Sequence, residues 1–204
     1  LAPLGITLEE VKSRGYIQLP PKEEKADYTF NTASGKIEVY SETLGKAGFS
    51  PWPTWEEPPR PEPGQFYLLT GKVAQATQFA TQNNQLLHKY ADEPRMWMNA
   101  DTAASMRLKD GDWVEVTSQV GQVNVRLLAT QAIRPDCVFM APGYGHLSKG
   151  LTTAFGVGAS STVLHVTYTD PISGGQALSQ TFVTVRKAPQ APPPDERRPL
   201  YSGE

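Results

Sequence analysis

After residue 65, short segments of alternating hydrophobic and polar residues predict half-buried β-strands. Six strands are expected, at Phe66–Leu69, Met96–Asn99, Trp113–Thr117, Gln122–Leu128, Cys137–Met140 and Thr181–Arg186. The connection Ser118–Gly121 predicts a hairpin between the third and fourth strands. Only Gln82–Tyr90 and Thr102–Met106 are expected to be helices in this region. The pattern predicts a mainly β fold with short helices, closed or nearly closed into a barrel, because closure removes exposed strand edges.

A different pattern precedes residue 50. Thr7–Glu10 is a capping box that predicts a short helix ending near Gly15. Tyr28–Phe30 and Lys36–Tyr40 read as two strands around a loop of turn residues. Ser41–Ala47 is predicted to be a second helix.

Proline marks the boundaries of the predicted domain. Ser50–Gly64 contains six prolines and two tryptophans, which exclude regular structure and predict a boundary there. The segment 51–64 is therefore expected to be a linker that lies across a surface, held by its tryptophans. Residues 188–204 are proline-rich and charged, and predict a tail that a partner must order.

Charge and cysteine content limit the function classes. The 204 residues carry a formal net charge of −2, which gives no electrostatic reason to expect a nucleic acid partner. No apolar run approaches the roughly 20 residues that cross a bilayer. Cys137 is the only cysteine, and the three histidines show no metal-ligand spacing. A bound metal would therefore have to be held by groups outside this chain. Cys137 is expected to be a buried thiol in the core.

Asn99 and Asp101 are candidates for recognising a purine. One amide offers a donor and an acceptor, and a carboxylate accepts paired hydrogen bonds from an amino-substituted heterocycle. The alternative is that both residues only cap the helix predicted at Thr102–Met106.

A polar loop follows the first predicted strand. Thr70, Gly71 and Lys72 stand at the strand end, and Gln78, Thr81 and Asn84 follow. Amides, hydroxyls and a cation near a helix start suit phosphate groups. A polar loop that only solvates itself is the alternative.

A second glycine turn, Gly143-Tyr144-Gly145-His146, follows the fifth predicted strand. Its glycines allow close backbone approach to a ligand, and its two ring side chains add stacking and hydrogen-bonding surface. The alternative is a tight turn with no ligand. Since no catalytic triad, carboxylate pair or G-x-G-x-x-G fingerprint is present, the sequence favours binding over catalysis.

These segments occur in an order known from one family. The motifs are Phe30–Ser41, Leu68–Lys72, Thr81–Asn84, Asn99–Ala103, Leu108–Val116, Gly143–Gly145 and Asp170–Gly175. Together they resemble the carboxy-terminal part of molybdopterin oxidoreductases of the dimethyl sulfoxide reductase family. The resemblance covers nearly everything from Thr7 to Lys187, and is greatest to polysulfide, thiosulfate and tetrathionate reductase catalytic subunits.

The resemblance implies a six-stranded double-psi β-barrel preceded by the end of an α/β domain. Residues 1–50 would close the preceding oxidoreductase domain, 51–64 would be the linker, 65–187 the dinucleotide-binding barrel and 188–204 the tail. It also implies a molybdenum or tungsten atom held by two molybdopterin guanine dinucleotides. The iron–sulfur cluster and the protein ligand of the metal would belong to regions upstream.

Residue by residue, the resemblance assigns three groups of cofactor contacts. One cofactor would meet Thr70, Gly71, Lys72, Gln78, Thr81 and Asn84; Asn99 and Asp101 would bind a guanine edge; and Gly143, Tyr144, Gly145 and His146 would lie along the second pterin. Many members carry histidines where this chain has Ala76 and Gln78, and asparagine where it has Ser160 and Ser161.

The implied function is reduction of a sulfur compound such as polysulfide or thiosulfate, with this part alone inactive. The implied partners are the rest of the catalytic subunit, an iron–sulfur electron-transfer subunit and a membrane anchor subunit, which would make the protein periplasmic or membrane-associated. Arsenate reductase and formate dehydrogenase share the expected barrel and stay open. A non-enzymatic double-psi barrel that binds other proteins is a further alternative.

Overall fold

The computed structural model describes residues 2–19, 21, 29–90 and 93–189. The chain separates into two compact units, with the division between Glu56 and Glu57. None of the helices in the described ranges has the length and apolar character needed to cross a membrane.

The first unit contains a short 3-10 helix at Ala2–Leu4 and two α-helices, α1 at Leu8–Arg14 and α2 at Glu42–Lys46. Helix α1 begins with the predicted capping box, in which the Thr7 hydroxyl accepts from the Glu10 amide and the Glu10 carboxylate accepts from the Thr7 amide. It ends at Gly15 in the left-handed conformation. Helix α2 begins after Ser41, whose hydroxyl accepts from the Leu44 amide. Both predicted helix starts are confirmed.

The strand predicted at Lys36–Tyr40 is wrong. Residues 29–30 and 36–40 form no strand, and Tyr28 lies outside the described residues. The backbone is bound locally instead, since the Thr32 hydroxyl donates to the Lys36 carbonyl at 2.6 Å and the Ser34 amide donates to Glu38 at 2.8 Å. A lone hairpin is marginal in water, and the described residues of this unit contain no strand that could support one.

The described part of this unit has no buried side chain. Its large exposed apolar residues are Leu4, Leu8, Tyr16, Leu19, Phe30, Ile37, Val39, Tyr40, Phe49, Trp52 and Trp55. The described residues of this unit therefore form no hydrophobic core.

The second unit is built on a closed barrel. Its strands are β1 Phe66–Thr70, β2 Met96–Asn99, β3 Trp113–Thr117, β4 Gln122–Thr130, β5 Cys137–Met140 and β6 Phe182–Lys187. Their order around the barrel is β1-β5-β2-β4-β3-β6, with β6 pairing back to β1. The predicted six-stranded barrel is confirmed, with β4 extending two residues further and β6 starting one residue later than expected.

Two strand pairs are parallel, β1 with β5 and β2 with β4, while the other pairs are antiparallel. The connections that parallel neighbours require give the crossed arrangement of a double-psi barrel. Strands β1 and β5 end together, since Thr70 pairs with Met140, and this end is the β1/β5 rim. Strands β2 and β4 end at the opposite side, where Asn99 pairs with Thr130, and this is the β2/β4 rim.

The barrel interior is filled by the alternating apolar residues that predicted the strands. The core consists of Phe66, Leu68, Met96, Met98, Ala103, Leu108, Val114, Val116, Val125, Leu127, Val138, Met140, Leu164, Val183 and Val185. Three of these, Ala103, Leu108 and Leu164, lie outside the strands, so helical and loop residues complete the core.

The helices of this unit start where asparagine caps them. Helix α3 covers Gln85–His88 after Asn84, and is shorter than the predicted Gln82–Tyr90. Helix α4 covers Ala100–Ser105 after Asn99, and so starts two residues before the predicted Thr102. Two 3-10 helices, Ser161–Leu164 and Leu178–Gln180, precede β6.

Candidate functional site

The β1/β5 rim brings two of the predicted loops together. Because Thr70 and Met140 are register partners in parallel strands, the chain leaves both strands at the same edge. Thr70, Gly71 and Lys72 therefore lie beside the loop that carries Gly143 to His146.

Both glycines at these strand ends are in close packing. A Cβ on Gly71 would lie 3.2 Å from the Phe139 ring. Gly143 has a φ of +85°, and a Cβ there would overlap the Gln82 amide and lie 2.8 Å from the Gln78 carbonyl oxygen. The segment around Gln78 and Gln82 thus packs directly on the second glycine turn.

Two residues predicted as ligand contacts in this segment form hydrogen bonds within their own loop. The Thr81 hydroxyl accepts from the Thr77 amide at 2.7 Å. The Asn84 oxygen accepts from the Leu86 amide at 2.9 Å and caps α3. Gln78 has an exposed side chain and a φ of +53°, which is uncommon outside glycine.

Two residues that were not predicted as site residues, Gln82 and Asn83, connect these loops. Gln82 is 6% exposed, and its side-chain amide donates to the Gln78 carbonyl. Asn83 accepts at Oδ1 from the Thr153 amide at 2.9 Å and the Ala154 amide at 3.1 Å. Asn83 is thus bonded to another loop, and Gln82 packs against Gly143. The available sequence signal for both was a run of amide side chains.

A third loop follows the second glycine turn and folds back on it. The Gly145 amide donates to the Val157 carbonyl at 2.9 Å, and the Gly156 amide donates to the His146 carbonyl at 2.8 Å. The loops after residues 70, 140 and 147 therefore form one connected surface at the β1/β5 rim.

A groove of about 470 Å³ lies beside these loops. It is lined by Val73, Gln75, Lys89, Tyr90, Glu93, Pro94, Arg95, Trp97, Leu128, Ala141 and Tyr144. Glu93 pairs with Arg126 at 3.1 Å, and Arg95 pairs with Asp110 at 3.4 Å. Burial raises the pKa of Tyr144, so its phenol stays protonated and can donate a hydrogen bond.

Asn99 and Asp101 lie at the β2/β4 rim, away from the other predicted contacts. Asn99 is 6% exposed. Its oxygen accepts from the Asp101 and Thr102 amides at 3.1 and 3.2 Å, and its nitrogen donates to Gln131 and to the Ile133 carbonyl, both at 3.1 Å. These contacts are those of the capping alternative.

Of this pair, only the Asp101 carboxylate is exposed, and it makes no side-chain hydrogen bond within the described ranges. Because β2 runs antiparallel to β5, Asn99 and Asp101 lie at the opposite end of the barrel from the second glycine turn.

The part of the chain that the structure describes contains no group of histidine, cysteine, aspartate or glutamate side chains able to hold a metal ion. Cys137 is buried, and burial raises the pKa of its thiol. A buried thiol of raised pKa is a poor nucleophile and a poor metal ligand.

Comparison with known proteins gives matches throughout the barrel. The family model described as the molydopterin dinucleotide binding domain matches residues 66–182, more than half of the chain. The thiosulfate reductase molybdopterin-containing subunit PhsA of Salmonella typhimurium is 32% identical over 149 residues, which are 71% of this chain and 19% of that subunit. The arsenate respiratory reductase subunit ArrA of Chrysiogenes arsenatis is 30% identical over 101 residues, 46% of this chain and 12% of that subunit.

A solved structure shares the fold. Acetylene hydratase from Pelobacter acetylenicus aligns with a TM-score of 0.69 and 22% identity, covering 92% of this chain and 28% of that one. This chain thus spans about one fifth of the length of the curated relatives PhsA and acetylene hydratase that it matches.

Proposed function

Because this chain belongs to the molydopterin dinucleotide binding domain family, as the carboxy-terminal region of an enzyme of the dimethyl sulfoxide reductase family, we propose that it completes an oxidoreductase catalytic subunit. The cofactor of such a domain is molybdopterin guanine dinucleotide with its metal. In our proposal the metal is molybdenum or tungsten, and the substrate is a sulfur compound such as polysulfide or thiosulfate.

The joining of the three loops at the β1/β5 rim is the observation that carries this proposal. Parallel β1 and β5 bring the loops that contain Gly71 and Gly143 to the same edge of the barrel, where Phe139 packs close to Gly71 and Gln82 packs close to Gly143. A site assembled from separate loops on a rigid barrel suits a long ligand with several recognition points.

The donors at this rim match the chemistry of a pterin nucleotide. Lys72 and Lys89 have exposed ammonium groups that form no ion pair within the described ranges, so they can meet phosphates. The protonated Tyr144 phenol can donate to a heterocycle and offers a ring face. When bound, the cofactor supplies the metal centre for two-electron chemistry, while the barrel supplies fixed dipoles that orient it.

We assign the cofactor contacts to Thr70, Gly71, Lys72, Gly143, Tyr144, Gly145 and His146, with Gln78 beside them. In this proposal Thr81 acts through the shape of its loop, whereas Asn84 caps α3 and is assigned no contact with the cofactor. Asp101 is assigned to the guanine through its exposed carboxylate, whereas Asn99 could bind a ligand only by giving up its capping bonds.

The proposal also assigns residues 1–50 to the preceding domain of the same subunit and 51–64 to the linker. The absence of buried side chains in the described part of residues 2–56 supports this, because an independent domain would bury a core of its own. It also argues against a free-standing protein-binding barrel. The tail proposed at 188–204 has only its first two residues among those described.

The proposed substrate class rests on one relative. PhsA is named a thiosulfate reductase subunit and matches a longer stretch than ArrA, which is named an arsenate reductase subunit. Because both are named as subunits, we propose assembly with an iron–sulfur subunit and a membrane anchor subunit. Formate oxidation is a further candidate of the same class.

Acid extraction of the intact catalytic subunit tests cofactor binding, since released guanine nucleotide can be quantified by chromatography. We expect Lys72→Met to weaken nucleotide retention about tenfold through loss of a charged contact. Lys109→Met removes a lysine close to α4 and is expected to have no effect. Absence of guanine nucleotide from the wild-type subunit would contradict the proposal.

Activity measurements on the same preparation address the substrate. Reduction of thiosulfate or polysulfide, with little reduction of arsenate and little oxidation of formate, is expected. Turnover of arsenate or formate alone would retain the family and reject the proposed substrate class.

A further inference from the structure

One side chain joins two loops of the β1/β5 rim that are far apart in sequence. Asn83 lies in the loop before α3, and its Oδ1 accepts from the amides of Thr153 and Ala154, at 2.9 and 3.1 Å. We call these contacts the Asn83 bridge. Ala154 is only 2% exposed, so its amide lies where water cannot readily replace a lost partner.

The loop held by the Asn83 bridge in turn holds the second glycine turn. Immediately after the bridged residues, the Gly156 amide donates to the His146 carbonyl, and the Gly145 amide donates to the Val157 carbonyl. The position of the Gly145 and His146 backbone therefore depends on a loop that Asn83 anchors.

From this geometry we propose that Asn83 is a positioning residue for the cofactor. It need not touch the cofactor, because its role is to keep the loop around Ala154 against the second glycine turn. The inference rests on the proposed function, in which Gly145 and His146 lie along a pterin.

The chain provides a matched control in the neighbouring residue. Asn84 has the same side chain, but among the described residues its oxygen accepts only from Leu86 and Leu87, so it caps α3 and bonds to no other loop in that part of the chain. Asn83→Asp keeps an acceptor oxygen for both amides, whereas Asn83→Ala removes it.

The experiment compares wild type, Asn83→Ala, Asn83→Asp and Asn84→Ala in the intact subunit. Amide hydrogen exchange is measured at Thr153 and Ala154, and the rate of guanine nucleotide release is measured on mild heating. Asn83→Ala is expected to speed both by about tenfold. Asn83→Asp is expected to stay within about threefold of wild type, and Asn84→Ala to speed exchange only around α3.

The outcomes distinguish failure of the proposed function from failure of the inference about Asn83. Wild type without guanine nucleotide would overturn both the proposed function and this inference. Wild type with nucleotide, released at the same rate by Asn83→Ala, would overturn the inference alone, as would equally fast release by Asn84→Ala. Should Asn83→Ala not fold, Asn83→Gln is measured instead, since it keeps the amide but displaces its oxygen; unchanged release would then overturn the inference.

Discussion

At the scale of single residues, Gly143 is the position most restricted by its surroundings. Its positive φ disfavours any side chain by about 1–2 kcal/mol, and a Cβ would overlap Gln82 and crowd the Gln78 carbonyl, adding about 1–3 kcal/mol. We expect Gly143→Ala to destabilise the barrel by about 2–5 kcal/mol. Urea unfolding followed by tryptophan fluorescence measures this, because Trp97 and Trp113 belong to barrel strands.

A substitution at Gly111 separates the backbone cost of a positive φ from the packing cost of an added Cβ. Gly111 has a φ of +80°, but a Cβ there would meet nothing within 4 Å. Gly111→Ala is therefore expected to cost only the backbone term of about 1–2 kcal/mol. Equal losses for both substitutions would show that the packing against Gln82 contributes nothing.

His165 gives a residue-scale prediction about pH. Its Nδ1 lies 3.1 Å from the hydroxyl of Thr181, which is fully buried, and burial lowers the pKa of His165 below its ordinary value of 6.5. The folded state therefore binds this proton less readily than the unfolded state. Its contribution to stability is present above pH 6.5 and is lost as pH falls through the lowered folded-state pKa.

His165→Gln removes this titration while keeping a hydrogen-bonding side chain. Between pH 7.5 and pH 5.5, we expect the wild-type free energy of unfolding to fall more than that of His165→Gln. Urea transitions at the two pH values give the comparison. A parallel loss in both proteins would assign the pH dependence to other groups.

At the scale of elements, sequence patterns predicted the structure well where the cause was local. The alternation at Val125 and Leu127 predicted β4, and Thr7 predicted the start of α1 through its capping box. The segment at Lys36–Tyr40 has the same local pattern but no pairing partner among the described residues. A strand needs a neighbour, and whether one is present is a property of the tertiary fold rather than of five residues.

Helix α4 begins after Asn99, which is either a helix cap or a ligand contact. The two roles predict different effects of its substitution on the stability of the barrel. As a buried cap with four hydrogen bonds, Asn99→Ala should destabilise the barrel by about 1–3 kcal/mol. Asp101→Asn, at an exposed position, should cost less than about 1 kcal/mol. Thermal unfolding of both variants checks this, and a near-neutral Asn99→Ala would contradict the capping role.

At the scale of the whole molecule, the order of strands decides which candidate residues share a site. The sequence correctly marked Gly71 and Gly143 as turns at strand ends, and Asn99 as a polar residue at another. It could not show that β1 and β5 are parallel while β2 runs the other way, because no local pattern encodes pairing direction. That direction separates Asn99 from the glycine turns. For the same reason, Asn83 could not be selected before its partner loop was known.

The two units also differ in how much apolar side chain their described residues bury. All residues of the hydrophobic core lie between Phe66 and Val185, while the described part of residues 2–56 buries none of its side chains. Removing residues 1–56 should therefore leave the barrel with a cooperative urea transition and a midpoint close to that of the full chain, because apolar burial is the main source of stability. It should also reduce binding of a hydrophobic dye, since the exposed apolar residues of the first unit are lost. A barrel without a cooperative transition would show that the first unit contributes to its folding.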